Sequence, residues 1–473
     1  MTNISPSAAD LEGNLRRFIA FRLLYSARFY YPVFTVLFLD YGLTLEQFAI
    51  LNMVWAVTIV LAEVPSGALA DIVGRKRLLL FAALLMVIEM ALIVFAPIGS
   101  SRWLFLMFLG NRICSGLSEA AASGADEALA YDSLKALGRE EDWSKLLERT
   151  TFVVSIGFFT TMILGAFAYD PAIVNHLLDL VHTGWSLPNT IIIRLPVVLT
   201  LITSCILLFT VTGFYDLDQV DETSPQATSP QATLRSGHSG SLSPGRSLLD
   251  PFKQIMAAAK WTLNHRFVLF VILAALALDS AARQFVVMSS EYYRIIDIPV
   301  SWFGFIGAGM SLIGIANARL SRYLVSNRSP IFNFLLLSAI LMIGLLGLTF
   351  TVPVYGVLFA IGAYAMMGMV QFQASYYINR AVDSKIRATV LSFKGLALNL
   401  GLGMASLLYT VLVATLRERQ AGNYAEDDLG QVVFVDSLQA LPVYYLVLFV
   451  LLTIMARWLI SDSKVFFKQP AKK

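Results

Sequence analysis

The stretch Glu63–Leu80, EVPSGALADIVGRKRLLL, joins one apolar run to the next. Between the two runs it places one aspartate, Asp71, two glycines, Gly67 and Gly74, and three consecutive cations, Arg75, Lys76 and Arg77. Charge is dense here and scarce elsewhere. Of 473 residues, 57% are hydrophobic and only 14% are charged, against about 25% in soluble domains. With a mean hydropathy of +0.69, this is the composition of a polytopic membrane protein.

A helix needs about 20 mostly apolar residues to cross a hydrocarbon core of ~30 Å. Twelve runs qualify: 18–39, 47–70, 78–97, 103–128, 150–169 and 190–213 in the first half, and 267–288, 301–318, 330–351, 354–378, 388–415 and 440–460 in the second. Lipid leaves the backbone no external partner, so each run is read as a helix and the fold as all-α. Most of the 35 Lys and Arg residues fall in loops on the side of the N-terminus, while Arg102, Arg294, Arg417 and Arg419 lie opposite. The positive-inside bias therefore puts both termini in the cytoplasm.

A polar stretch containing TSPQATSPQATLRSGHSGSLSPG (Thr223–Gly245) separates the halves and reads as a flexible linker. The expected organisation is a six-helix bundle at 1–215, a linker at 216–250 and a second six-helix bundle at 251–473. Pro251–His265, PFKQIMAAAKWTLNH, has the pattern of an amphipathic surface helix. Arg16 and Arg17 precede an apolar run that carries Arg22, Arg28 and three tyrosines without a cleavage site, so the run is expected to stay as the first span.

Several classes are disfavoured. The net charge of +3 gives no reason to expect nucleic acid. Cys114 and Cys205 lie inside apolar runs, and the four histidines, His176, His182, His238 and His265, form no cluster with ligand spacing. No metal, cofactor or catalytic constellation is expected. No phosphate-binding G-x-x-x-x-G-K-[ST] loop occurs, so a nucleotide-driven pump is not indicated.

The cations of the opening stretch serve as topology anchors, but topology does not require the glycines or the acid. Here the chain resembles the major facilitator superfamily, whose loop signature is G-x-L-A-D-x-x-G-R-(K/R). Gly67-Ala68-Leu69-Ala70-Asp71-Ile72-Val73-Gly74-Arg75-Lys76 matches every fixed position. In span four, Arg112, Gly116 and Ala120 resemble the R-x-x-x-G-x-x-x-A pattern of proton-coupled members. SGADEALAYDSL (Ser123–Leu134) and DSKIRATVLS (Asp383–Ser392) are similar to segments of bacterial members. The exporter signature of span five, ending G-P-x-x-G-G, is absent, and GIANARLSRYLVSNR (Gly314–Arg328) keeps glycine and cations without the acid.

The resemblance implies a monomeric transporter of two six-helix bundles in a bacterial cytoplasmic membrane, its partners being lipid, a small solute and a coupling proton. It implies a gate at Gly67, Asp71, Gly74, Arg75 and Lys76, with Asp71 meeting the N-terminal end of helix eleven, where a carboxylate gains ~0.3–1 kcal/mol. Arg75 is expected to pair with Asp132 or Asp126. It also implies that helices one, four, seven and ten surround the cavity.

Ionisable residues at membrane depth are candidates for function. Arg112, Glu119 and Asp126 recur at intervals of seven, which expects one charged face on span four. Glu119, with Arg112 tuning it, and then Glu63 are the candidates for proton coupling. Tyr25, Arg28, Tyr31, Asp279, Arg283, Gln371, Gln373 and Tyr376 are the candidates for the cavity, with Arg28 binding an anionic or aromatic solute or else pairing with an acid. Asp279 and Arg283 are four apart and can neutralise each other. Glu89 and Arg194 are expected to be peripheral, Arg194 snorkelling to the headgroups. The reading that results is proton-coupled secondary transport, leaning to efflux. The alternatives are a proton-coupled importer or a non-transporting sensor on the same fold.

Overall fold

The computed structural model describes residues 7–180, 185–215 and 250–460. Some side chains within them, including those of residues 71, 384 and 385, lie outside that description. Ten runs are long and apolar enough to cross a membrane. Spans one and four complete the set of twelve, and each of them is broken in the middle.

Span one consists of Ala8–Ser26, a 3-10 turn at Tyr31–Val33 and Phe34–Asp40. The break precedes Pro32, which has no N–H to offer the carbonyl of Arg28. Span four consists of Arg102–Ala122 and Ala125–Ala136, separated by Ser123 and by Gly124 at a φ of 77°. The other spans begin as follows: two is Leu45–Val73, three Arg75–Val94, five Trp143–Tyr169 and six Asn189–Thr212 with a kink at Ile193–Arg194. In the second half, seven is Arg266–Ile295, eight Val300–Asn327, nine Pro330–Leu348, ten Val357–Ala381, eleven Ser384–Gln420, and twelve Glu426–Leu438 with Ala440–Ile460.

The expected loop at Gly67–Lys76 is not a loop. Span two stays helical to Val73 and span three starts at Arg75, so the whole connection is Gly74, at a φ of 95°. Only glycine adopts that backbone without strain. Asp71 therefore sits in the last turn of a helix, and its side chain lies outside the described residues. The linker at 216–249 also lies outside them. The helix Asp250–Asn264 does more than lie on a surface: it packs against span two of the first half as well as spans seven and eleven of the second.

The halves meet through two main contacts, span two on span eleven and span five on span eight, with span one against span seven between them. Exchanging the halves turns the first main contact into the second, as an internal repeat requires. On the face opposite the termini the contact is tight and polar. Arg294 Nη1 reaches Asp40 Oδ1 at 2.6 Å, and Arg417 Nε reaches Glu46 Oε1 at 2.5 Å. Tyr169 donates to Asp40 Oδ2 at 2.7 Å, and Ser290 Oγ accepts from the N–H of Thr35 at 2.9 Å.

Toward the termini the contacts part. On span eight, a Cβ at Gly307 would strike Met162 of span five, whereas one at Gly314 would meet nothing within 4 Å. Seven residues separate them, about 20° around a helix, so both look the same way. Span two repeats the pattern. A Cβ added at Gly403 of span eleven would lie 3.4 Å from Ala56, but one added at Gly67, three turns on from Ala56 and about 20° round, would meet nothing within 4 Å. Both interfaces are closed on the far side and splayed on the side of the termini.

At Gly304 an added Cβ would lie 2.8 Å from Ile163 Cα, against backbone that cannot swing away. Gly304→Ala is expected to cost about 1–3 kcal/mol through overpacking. Gly314→Ala should stay within about 0.5 kcal/mol of the parent. Thermal unfolding of both variants in detergent checks the pair.

Candidate functional site

A cavity of about 500 Å³ lies between spans one, four and five, with Arg22, Tyr25, Glu119, Ser123 and Asp126 in its wall. The break in span four is thus part of the lining. Glu119 is exposed although it sits in mid-span. Among the described residues it has no ion pair or side-chain hydrogen bond. The charges within electrostatic reach of it are Arg28, Glu89, Arg283 and Arg112, of which Arg283 belongs to span seven of the other half. Glu63 of span two, half-buried, lies within electrostatic reach of it.

The tyrosines belong to the same space. Ser118 donates to the carbonyl of Ala82 at 2.8 Å, so at the 3.1 Å contact with Tyr25 it is the tyrosine that donates. Tyr25 stacks on Phe21 at 5.5 Å and carries the Arg28 guanidinium over its ring at 5.4 Å. Tyr31 is 42% exposed, unusual for a ring at this depth unless it faces a watered cavity.

Several expectations about charge are corrected. Arg28 is not available to a solute, because it forms a fully buried ion pair with Glu89. Glu89 itself is wholly buried. It projects from span three to span one because an arginine buried that deeply needs a carboxylate in contact. Arg194 is held within the protein. It donates to the carbonyls of Val94 and Ala96, the latter at 2.8 Å, and caps the end of span three.

The single charged face expected on span four does not exist. Arg112 is 4% exposed and lies behind the cavity wall, 5.2 Å from the ring centres of both Phe34 and Phe38. Its Nε bonds to Asn111 at 2.9 Å, and its Nη2 has no hydrogen-bond partner. Asp126 lies beyond the break, in the first turn of the second helical piece, and takes Arg22 at 3.2 Å. Arg22 also reaches Glu127 at 3.2 Å. A seven-residue spacing keeps one face only while the helix is continuous.

The second half carries a linked network. Asp279 accepts from Arg283 four residues on, and Arg283 donates to Asn399 of span eleven at 2.9 Å. Gln371 of span ten donates to Asp279 at 3.3 Å and accepts from Lys394 at 3.2 Å, and Lys394 also donates to Ser375 at 2.9 Å. Lys394 stood among the ionisable residues at membrane depth, whereas Asn399 and Ser375 were not picked out from the sequence. A lysine inside an apolar run was the available signal for the first, and nothing distinguished the others. Gln373 is corrected out of the cavity group. It is buried and its amide has no partner, whereas Gln371 joins the network. Two residues on one helix differ by about 200°, so they cannot share a face. Tyr376 accepts from Arg380 at 2.9 Å.

At the gate motif, Arg75 forms an ion pair with Asp132 of span four. Lys76 is half-buried, and Gly67 borders open space. Among the described residues, no group of His, Cys, Asp and Glu side chains is arranged to hold a metal ion.

Removing one partner of a buried pair leaves the other charge uncompensated, at about 3–5 kcal/mol, while replacing both with apolar groups costs far less. Arg28→Met and Glu89→Leu are each expected to lower stability by that order. The double variant should recover most of the loss. A double-mutant cycle read by thermal unfolding in detergent checks this.

With this geometry in hand, comparison with known proteins is informative. The profile of the Major Facilitator Superfamily matches residues 18–406. No curated protein sequence matches the chain. Among solved structures, it resembles a bacterial homolog of the human lysosomal transporter Spinster, in an inward-facing and unoccupied conformation, with a TM-score of 0.63, 13% identity and coverage of 99% of this chain and 100% of that one. The nucleoside transporter NupG gives a TM-score of 0.56 at 14% identity, covering 93% of this chain and 98% of that one. The D-xylose-proton symporter gives 0.56 at 14% identity, covering 92% and 96%. The match across 18–406 and the twelve-span, two-bundle architecture make this chain a member of the Major Facilitator Superfamily.

Proposed function

We propose that this protein is a proton-coupled secondary transporter that moves a small organic solute across the cytoplasmic membrane by alternating access. The observation that carries the reading is the asymmetry of the interface between the halves. It is sealed by Arg294–Asp40 and Arg417–Glu46 on one face and splayed at Gly67 and Gly314 on the other. Rocking of one bundle against the other about a midplane site requires such an arrangement in one of its end states. By the distribution of cations the splayed face is cytoplasmic, and the state is inward-facing.

In the opposite state, closing the splayed face would bring span eleven toward Gly67 and Asp71. Gly67 has the clearance this needs, because it carries no side chain where the halves must meet. Glu119 is the favoured proton carrier: it is a carboxylate without a counter-ion in contact, open to the cavity and within electrostatic reach of the other half. Glu63 is next to it. Export is the direction favoured by the resemblance to efflux-like members.

The first test is a thermal-shift screen of purified protein against metabolites and drugs, where binding raises apparent stability by RT ln(1 + [L]/Kd). A hit is then carried into counterflow across proteoliposomes. Exchange is expected, and binding without exchange would leave a sensor instead of a transporter. With the same solute, Glu119→Gln should lower pH-driven flux by at least about tenfold, of the order lost with one proton-transfer group. Unchanged pH-driven flux would remove Glu119 from the coupling step.

The seal gives a separate prediction. With Cys114 and Cys205 replaced, Tyr31→Cys should react with an impermeant thiol reagent from the cytoplasmic face alone. Adding Asp40→Asn and Glu46→Gln should open it to the reagent from the other face as well.

A further inference from the structure

The polar groups of the two halves form walls of opposite charge, with Glu119 of the first half within electrostatic reach of Arg283 of the second. On the wall from the first half, the cations are already used. Arg28 is consumed by Glu89, and Arg22 is shared between Asp126 and Glu127. What that wall presents is Glu119, exposed and without a partner in contact, with Glu63 beside it. Arg112 lies behind the wall, against the rings of Phe34 and Phe38.

The wall from the second half has the reverse excess. Asp279 is its one carboxylate in the network, and two cations, Arg283 and Lys394, lie within its reach. Arg283 contacts Asp279 directly. Lys394 does not: its ammonium is held by the neutral oxygens of Gln371 and Ser375. Arg283 also keeps its Nε without a hydrogen-bond partner. One positive charge on this wall is therefore not matched within it, and Arg283 lies within electrostatic reach of Glu119.

From this we infer that the transported solute is amphoteric, with an ammonium-type cation directed at Glu119 and a carboxylate or similar anion directed at Arg283 and Lys394. The inference rests on the transport reading above and narrows its substrate class. A solute with a single charge would neutralise one wall and leave the other exposed to its field. An amphoteric solute satisfies both and spans the boundary between the halves, so its binding energy is larger when the walls approach. That differential is what drives a ligand-dependent closure. Tyr25 lines the cavity beside Glu119, and the exposed ring of Tyr31 on the same span gives an apolar or aromatic body a further surface to pack on.

The test uses matched probes on purified full-length protein: phenylalanine, its methyl ester and 3-phenylpropionate, which share a ring and differ in charge. An aliphatic set, leucine, its methyl ester and 4-methylpentanoate, runs alongside. Thermal shift is expected to rank the amino acid above both the cation and the anion in at least one set. Glu119→Gln should abolish the advantage of the amino acid over the anion. Lys394→Gln should abolish its advantage over the cation, and Lys394→Arg should restore it. Glu119 lines open space, so its variant is expected to fold even if the buried lysine variant does not. An ester or acid that binds as well as the amino acid would overturn the inference, as would no shift from any probe at millimolar concentration. Charge-selective binding without counterflow would instead keep the site and remove the transport reading.

Discussion

A charge carried into hydrocarbon needs either an opposite charge in contact or water. At the centre of a helix an unpaired one costs about 2.5–3.5 kcal/mol on insertion scales, and more in an isolated segment. Most of the structure follows from how this chain meets that requirement. Arg28 and Glu89 cancel each other in the dry interior of the first half, and Arg283 leans on Asp279 in the second. Arg194 binds the open carbonyls at the end of span three, and Arg112 lies against a pair of aromatic rings. Glu119 has none of these solutions, so water must reach it. The position of the cavity is in this sense tied to a carboxylate that the packing leaves unanswered.

The same rule accounts for the two broken spans. A backbone that leaves the helix at membrane depth frees N–H and C=O groups, and these are tolerated only against protein or a watered space. Both interruptions, at Ala27–Tyr30 and at Ser123–Gly124, fall on helices that line the cavity. Lipid-facing spans such as nine are unbroken. Breaks and unpaired carboxylate thus occupy one region, where polar groups and water support one another.

Movement depends on a different constraint, the absence of side chains at chosen positions. Gly304 and Gly307 let span eight lie against span five on the sealed side, and Gly116 lets span four close on Thr58 of span two. Along the same faces Gly67 and Gly314 border empty space. The helices are rigid enough that such contacts open by tilting whole bundles. Two equivalent interfaces, related by exchange of the halves, allow that tilt without unfolding either half.

Hydropathy and one ten-residue motif were enough to establish the membrane class, the twelve spans, the two halves and the family, because span length and local sequence are properties of contiguous residues. They placed Glu119, Asp279, Arg283 and Gln371 among the candidates, since each is polar where lipid demands apolar. What the sequence alone could not decide was the partner of each charge. Arg28 finds Glu89 from two spans away, and Arg75 finds Asp132 instead of Asp126. The even spacing of Arg112, Glu119 and Asp126 suggested a common face that the break at Ser123–Gly124 takes apart. Such outcomes depend on which helices touch and at what rotation, and only the tertiary packing of the twelve spans sets those.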